Sequence, residues 1–339
     1  MEPISLNSAF FVILIRVLSV WLLLAAACSA AAQTASTGSG QAYPTKPVRL
    51  IVPFAPGGPG DIQARIIGAK LTETWGQQVV VENRGGANGI IAYELGARAD
   101  PDGHTVSLIS AGFTINASLY PKLPYDSVRD FAPATQISSG PAIVVVHPSL
   151  PARSVKELIA LARARPGQII YMSAGSGAPS HLAVELFKTM TKTDFLHIAY
   201  KGIAPGITDL LAGQVQVSFP TILAGLTHSR SGRLRALATT GEKRAPAAPE
   251  LPTVAEAGVP GYAAANWFGT AVPAKTPPVV VSRLSQEIGR VLRMPDVRER
   301  LLSQGMEPVS NTPDDFSKYV QSEIAKWAGV VKASGARPD

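Results

Sequence analysis

The sequence predicts an α/β fold in two lobes. Short β-branched runs alternate with amphipathic segments from Val48 onward, and the alternation restarts beyond Pro141. The roughly 300 residues that follow an apolar leader are enough for two domains. Strand, helix and strand in succession imply parallel pairing with right-handed crossovers.

The leader comes first. Phe10–Ala27 is apolar except for Arg16 and Ser19, and Ser29, Ala30, Ala31 and Ala32 precede Gln33. A charge, a short apolar run and an A-x-A end describe an export signal over residues 1–32, cleaved after Ala32. A spanning anchor needs about 20 apolar residues, more than follow Arg16. Cys28 after Leu24-Ala25-Ala26-Ala27 is the lipoprotein alternative, with its leucine one place too far upstream. Cys28 is the sole cysteine, so cleavage leaves no disulfide, thiol nucleophile or zinc–thiolate site, which an oxidising compartment permits when the core is large. Residues 33–42 are Ser/Thr/Gly-rich and read as a flexible tether.

In the first unit, Arg49–Phe54 reads as a buried strand and Asp61–Trp75 as a helix, with Ile62, Ile66, Ile67, Leu71 and Trp75 at helical spacing. Val79–Val81 is the next strand, Ile90–Ala99 a helix, and Asp100-Pro101-Asp102-Gly103 a turn into strand Thr105–Ile109. The second unit has strand Ala142–Val146, then Ser154 and Glu157 as a capping box before helix Val155–Ala164. Strand Gln168–Ser173, helix His181–Met190, strand Phe195–Ile198, helix Pro205–Ala212 and strand Val215–Phe219 follow. Arg235–Thr239 and Trp267–Val272 read as later strands. Thr312 as N-cap and Pro313 at the first position start a long terminal helix.

Lys and Arg number 31 against 24 Asp and Glu, a net charge of +7. The basic residues are scattered, with no basic run interleaved with aromatics, which argues against a nucleic-acid partner. Diffuse positive charge serves solubility as readily as it draws in an anion. The five histidines, His104, His147, His181, His197 and His228, form no metal-binding spacing, and no cofactor motif is present.

Two loops carry chemistry. Ala55-Pro56-Gly57-Gly58-Pro59-Gly60-Asp61 joins a strand to a helix, where unpaired N–H groups and the helix dipole favour an anion. It is no dinucleotide fingerprint, because Gln63 stands where a glycine is needed, and no Walker A loop, because no Gly-Lys-Ser/Thr follows. Asp61 reads as the helix N-cap. The second loop, Ser173–Ser180, offers the hydroxyls of Ser173, Ser176 and Ser180 beside backbone amides. Around Ser176 the G-x-S-x-G pattern fails at Ala174. Ser110–Thr114, Tyr200–Gly202 and Pro220-Thr221 also end strands. Open α/β sheets bind ligands at such carboxyl ends, so two anion-friendly helix starts on two lobes suggest a cleft gripped from both sides.

Together with Tyr43-Pro44-Thr45-Lys46-Pro47, these segments carry a resemblance. Val52–Gly58 is followed by Val81-Glu82-Asn83-Arg84, Pro101-Asp102-Gly103 and Leu119–Asp126. Ser180-His181-Leu182, Tyr200-Lys201-Gly202, Asp209–Val215 and Pro252–Gly258 complete the set. From about residue 43 to 335 the chain resembles the Bug-type (TctC-like) receptors of tripartite tricarboxylate transporters. The resemblance implies a periplasmic-binding-protein fold, with two α/β lobes closing over a ligand cleft. It assigns residues 43–140 plus 265–339 to lobe 1 and 141–264 to lobe 2, so the end of the chain returns to the first lobe. It also implies a periplasmic, monomeric, non-catalytic protein whose partners are a small carboxylate and the membrane permease subunits.

Carried over residue by residue, the ligand contacts are Phe54, Gly57, Gly58, Pro59 and Asp61, then Ser110, Phe113 and Thr114. The second lobe supplies Ser173, Ser176, Ser180, Lys201 and Thr221. The family often has Asp-Asn where this chain has Pro220-Thr221, and Gly-Gly-Ala/Ser-Thr-Asp where it has Gly58-Pro59-Gly60-Asp61. Those departures disfavour an amine-bearing ligand. Phe113 stands at a position that is often smaller or polar, which suits an aromatic acid such as a phthalate if the ring faces the cleft, and core packing if it does not. Two rival readings remain. One is an exported hydrolase using Ser176 and His181; the other is the same receptor signalling to a membrane sensor.

Overall fold

Val48–Val52 (β1) is apolar except at Arg49, whose guanidinium reaches Glu82 at 2.8 Å, so the strand is buried on both faces as a parallel strand requires. The computed structural model describes residues 43–338. The expected signal of residues 1–32, Cys28 and the tether of residues 33–42 lie outside the described residues. Helix Pro59–Trp75 (α1) carries β1 across to Val79–Asn83 (β2). Helix Ile90–Ala97 (α2) then leads to Thr105–Ser110 (β3). Both β2 and β3 pair with β1 in parallel.

The segment after β3 departs from expectation. Ser110–Thr114 is no loop; Ala111–Leu119 forms a helix (α3) directly behind the strand. Its residues favour helix weakly, and burial of Phe113, Ile115 and Leu119 supplies what propensity does not. Phe131–Pro141 (β4) is a strand outside those expected, with polar Thr135, Gln136 and Ser138 buried in it. Their partners lie far along the chain. Asn311 Oδ1 accepts from the Gln136 amide at 2.8 Å, the Asn311 carbonyl from Thr135 Oγ1 at 2.9 Å, and Gln63 Oε1 from Ser138 Oγ at 2.6 Å. Buried polar groups are tolerated when paired in this way.

Beyond Ala142 the chain enters a second sheet through Ile143–Val146 (β5). Helix Val155–Ala164 (α4) is capped by Ser154, whose Oγ accepts from the Glu157 amide. The Glu157 carboxylate returns to the Arg153 amide and not to Ser154, a modified capping box. Then follow Ile170–Ser173 (β6), Pro179–Thr191 (α5), Leu196–Ala199 (β7), Ile203–Leu211 (α6) and Val217–Ser218 (β8). Ile222–Arg230 (α7), which carries no strong start signal, leads to Arg235–Thr239 (β9). The sheet order is β7-β6-β8-β5-β9, with β6 parallel to both β7 and β8 and β5 antiparallel to its neighbours.

Ala265–Pro273 (β10) returns to the first sheet between β3 and β4, antiparallel to both. Helices Pro278–Leu292 (α8) and Pro295–Ser303 (α9), strand Glu307–Pro308 (β11) and helix Pro313–Ser334 (α10) finish the chain. The first sheet is therefore mixed, in the order β11-β4-β10-β3-β1-β2. As expected, Thr312 caps α10 by accepting from the Asp315 amide.

The strand connections cross between the sheets at Pro141–Ala142 and Ala264–Ala265, and Thr240 stitches the two together. Its buried Oγ1 accepts from the Ala142 amide at 2.8 Å and donates to the Ala264 carbonyl at 2.5 Å. Its own amide and carbonyl bond Ala142 and Ala264 as well. Helix α10, about 33 Å long, adds a third link. Phe316 and Val320 pack in the first sheet's aromatic core, whereas Trp327, Val330 and Val331 pack in the second sheet's core. Between them, buried Glu323 accepts from the indoles of Trp267 at 3.2 Å and Trp327 at 3.0 Å, and pairs with Lys326. An unsatisfied buried polar group costs about 1–3 kcal/mol. Thr240→Val is expected to lower stability by that amount in a urea titration, with Thr240→Ser recovering most of the loss.

Candidate ligand-binding site

The loop behind β1 is held open by its own acid. Helix α1 begins at Pro59 with Gly58 as N-cap and no side-chain cap. Asp61 is therefore not the N-cap; it stands in the first turn and reaches backwards. Its Oδ2 accepts from the Gly57 amide at 2.8 Å and from Arg65 Nε at 3.0 Å, while Oδ1 accepts from Asn83 Nδ2 at 2.8 Å. Asn83 Nδ2 also reaches the Phe54 carbonyl. Burial alone would push the Asp61 carboxyl up, but hydrogen bonds from Arg65, Gly57 and Asn83 and the Arg65 charge outweigh it, leaving it below the ordinary carboxylate range. The carboxylate is thus neutralised locally and does not confront an incoming anion. Gly57 has φ +81°, which glycine adopts without strain. Pro59 is exposed, and the Phe54 ring lies over Gly60 and edge-on to Phe268 at 5.7 Å.

The second loop, between β6 and α5, is held from below. Ser173 Oγ lies 2.7 Å from His197 Nε2, donates to the Gly175 carbonyl at 3.0 Å and accepts from the Gly175 amide at 3.2 Å. Ser180 Oγ accepts from the Ala174 amide at 3.0 Å. His181 Nδ1 accepts from the Gly177 amide at 2.9 Å, so that nitrogen holds the loop and is not placed to deprotonate Ser176. Ser176 is half-buried on the loop itself.

The remaining candidates divide. Ser110 lies at the β3–α3 junction, 3.5 Å from the Tyr93 hydroxyl. Phe113 is fully buried in a ring cluster with Tyr93 at 4.9 Å and Phe131 at 5.1 Å. It presents no surface to a ligand, and core packing is its role. Thr114 is equally buried, its hydroxyl donating to the Ala111 carbonyl at 2.8 Å. Both were placed on a loop that is in fact a helix, and a helix turns those two side chains into the core. Lys201 is exposed before α6, and Thr221 is exposed as the N-cap of α7.

Contacts between the sheets' loops come through residues that sequence reading passed over. A Cβ on Gly177 would collide with Leu119 at the end of α3, so the second loop rests directly on the first sheet's helix. Beside it, Ser180 and Pro179 share a small cavity with Phe219, Asn266 and Trp327. Asn266 follows the second crossing and Trp327 belongs to α10, and neither has a local motif that would mark it.

Helix starts without side-chain caps stand behind strands of both sheets, at β1 and β6. With two strand crossings between the sheets, this is the architecture of a periplasmic solute-binding protein. The chain belongs to the tripartite tricarboxylate transporter family receptors (TctC), matching that family over residues 63–336. Protein BugT of Bordetella pertussis is 38% identical over 310 residues, spanning 91% of this chain and 95% of that protein. The solved structure of R. palustris Rpa4515 with adipate is 38% identical with a TM-score of 0.76, covering 88% of this chain and 100% of the other. MatC (Rpa3494) from Rhodopseudomonas palustris with bound malate is 31% identical with a TM-score of 0.72, covering 85% and 100%. These are substrate-binding receptors, not enzymes, and the hydrolase reading of Ser176 and His181 falls with that membership.

Because the folded-state pKa of Asp61 is depressed, its bonds stabilise the fold above the ordinary carboxylate value of about 3.9. That contribution is lost as pH falls through the lower folded value. Asp61→Asn is expected to lower the melting temperature by a few degrees at pH 7, with the gap to the unsubstituted protein narrowing as pH falls below the ordinary carboxylate value. A gap independent of pH in thermal unfolding would contradict this role.

Proposed function

We propose that this receptor captures a small organic acid, a di- or tricarboxylate or an aromatic carboxylate, and delivers it to the permease subunits of a tripartite tricarboxylate transporter. The observation that carries the reading is the pair of loops whose side chains face inward to hold them while backbone amides remain at uncapped helix starts. The first-turn amides of α1 beyond Gly57 and Gly58, which are held by Asp61 and Ala55, form one side of the proposed carboxylate contacts, with Ser176, Ser180 and the start of α5 on the other. Phe54 and Pro59 flank the first, Ser110 and Ser173 support the floor, and Lys201 and Thr221 stand at the second lobe's rim. Relatives solved with adipate and with malate support an acid as ligand.

The lobes are taken to divide at Ala142 and Ala264, with α10 serving both. Closure around the ligand follows from differential contact, since only the closed state offers both loops to one carboxylate. Hydrogen bonds to a charged ligand contribute about 1.5–3 kcal/mol each, so four or five reach the roughly −8 kcal/mol of micromolar affinity.

Calorimetry of the mature protein against aliphatic and aromatic carboxylates, sugars and amino acids tests the reading. Micromolar binding of one or more carboxylates without an amine is expected. Binding confined to sugars or cationic amino acids would refute it.

A further inference from the structure

His181 and His197 are 16 residues apart in sequence and on different elements, yet their rings stack at 4.0 Å between centroids and 6° between planes. Tyr171 continues the stack at 4.8 Å from His197. Each imidazole is bonded to the loop above. The first accepts the Gly177 amide at Nδ1, and the second meets Ser173, which holds Gly175 at both its amide and its carbonyl. Packing alone would not require one ring nitrogen on the Gly177 amide and another on the Ser173 hydroxyl that holds Gly175.

The charged and titratable surroundings come from three sides. From helix α5, Glu185 Oε1 stands 3.9 Å from His181 Nε2 and also receives Lys188 at 2.8 Å. From β6, the Tyr171 hydroxyl donates to that same oxygen at 2.6 Å, and Ser173 supplies its hydroxyl. From the turn after α5, Asp194 lies 3.8 Å from Lys188. Tyr171 and Lys188 both share the Glu185 carboxylate that faces His181.

We propose that the stacked pair His181 and His197 positions the second ligand loop, and that protonation of the pair releases it, so that ligand capture weakens as pH falls. The proposal rests on the reading that Ser173–Ser180 holds the ligand. A proton on His181 Nδ1 turns its acceptor into a donor facing the donor of Gly177, and that bond is lost. A second charge on a ring 4.0 Å away is repelled, so the pair takes up one proton before two. Gly177 has φ +74° and lies against Leu119, so freeing its amide disturbs the contact between the loop and the first sheet.

The test pairs two measurements on the mature protein at pH 7.5 and 5.5. The first is calorimetric affinity for adipate. The second, without ligand, is the NMR amide signal of Gly177 and its exchange with water. Unsubstituted protein is expected to lose severalfold more affinity than His181→Asn over this interval, since an amide acceptor does not titrate. Adipate's own protonation enters both proteins equally. His181→Ala should bind more weakly than His181→Asn at pH 7.5, and the Gly177 amide should titrate only where His181 is present. Should His181→Asn fail to fold, His181→Gln, whose amide oxygen also accepts without titrating, carries the same comparison. Equal pH slopes in unsubstituted protein and variant, or a Gly177 amide indifferent to pH, would overturn the proposal. If adipate does not bind at either pH while the Gly177 amide titrates through His181, the positioning role stands and the choice of ligand fails.

Discussion

Thr240 is one hydroxyl shared by two crossings, and the relation between the sheets depends on it. Its side chain links the Ala142 amide to the Ala264 carbonyl, where each strand leaves one sheet for the other. Strand crossings of this kind act as hinges when few residues absorb the change in backbone angle. Helix α10 limits the motion further. Its two ends belong to different cores, and Glu323 ties the indoles of Trp267 and Trp327 where the cores meet. Breaking a buried charge away from such partners is far costlier than leaving it paired, so this joint holds the two cores together.

The same economy of side chains explains the site. Asp61, Asn83 and Arg65 are spent on holding one loop, and Ser173, Ser180, His181 and His197 on holding the other. On the proposed reading, what is left toward the ligand is backbone at helix starts, which recognises negative charge and is indifferent to the rest of the molecule. That division fits a family whose relatives were solved with acids as unlike as adipate and malate. On the proposed reading, ligand choice rests with the few side chains at the rim.

The alternating strands and helices were legible because β-branched runs and apolar periodicity are local signals. β1, β6, α4 and the start of α10 lie at or within a few residues of their expected positions. β4 was hidden because its buried polar residues find partners such as Asn311, more than a hundred residues away. Phe113 and Thr114 were misplaced for a related reason. Without knowing that Ala111 begins a helix, nothing in the sequence turns those side chains inward. Asp61 was right in its general purpose, holding a helix start, and wrong in geometry, because Pro59 moved the first turn two residues upstream. The histidine pair was invisible, since only the parallel register of β6 with β7 brings His197 beside Ser173 and the start of α5.

Carboxylate capture by two facing loops is tested most directly by a crystal structure of the mature protein grown with adipate. A ligand carboxylate within about 2.7–3.2 Å of amides or hydroxyls from both the start of α1 and Ser173–Ser180 is the expected result. Electron density for adipate outside those loops, or held by one loop alone with the sheets unmoved, would contradict it.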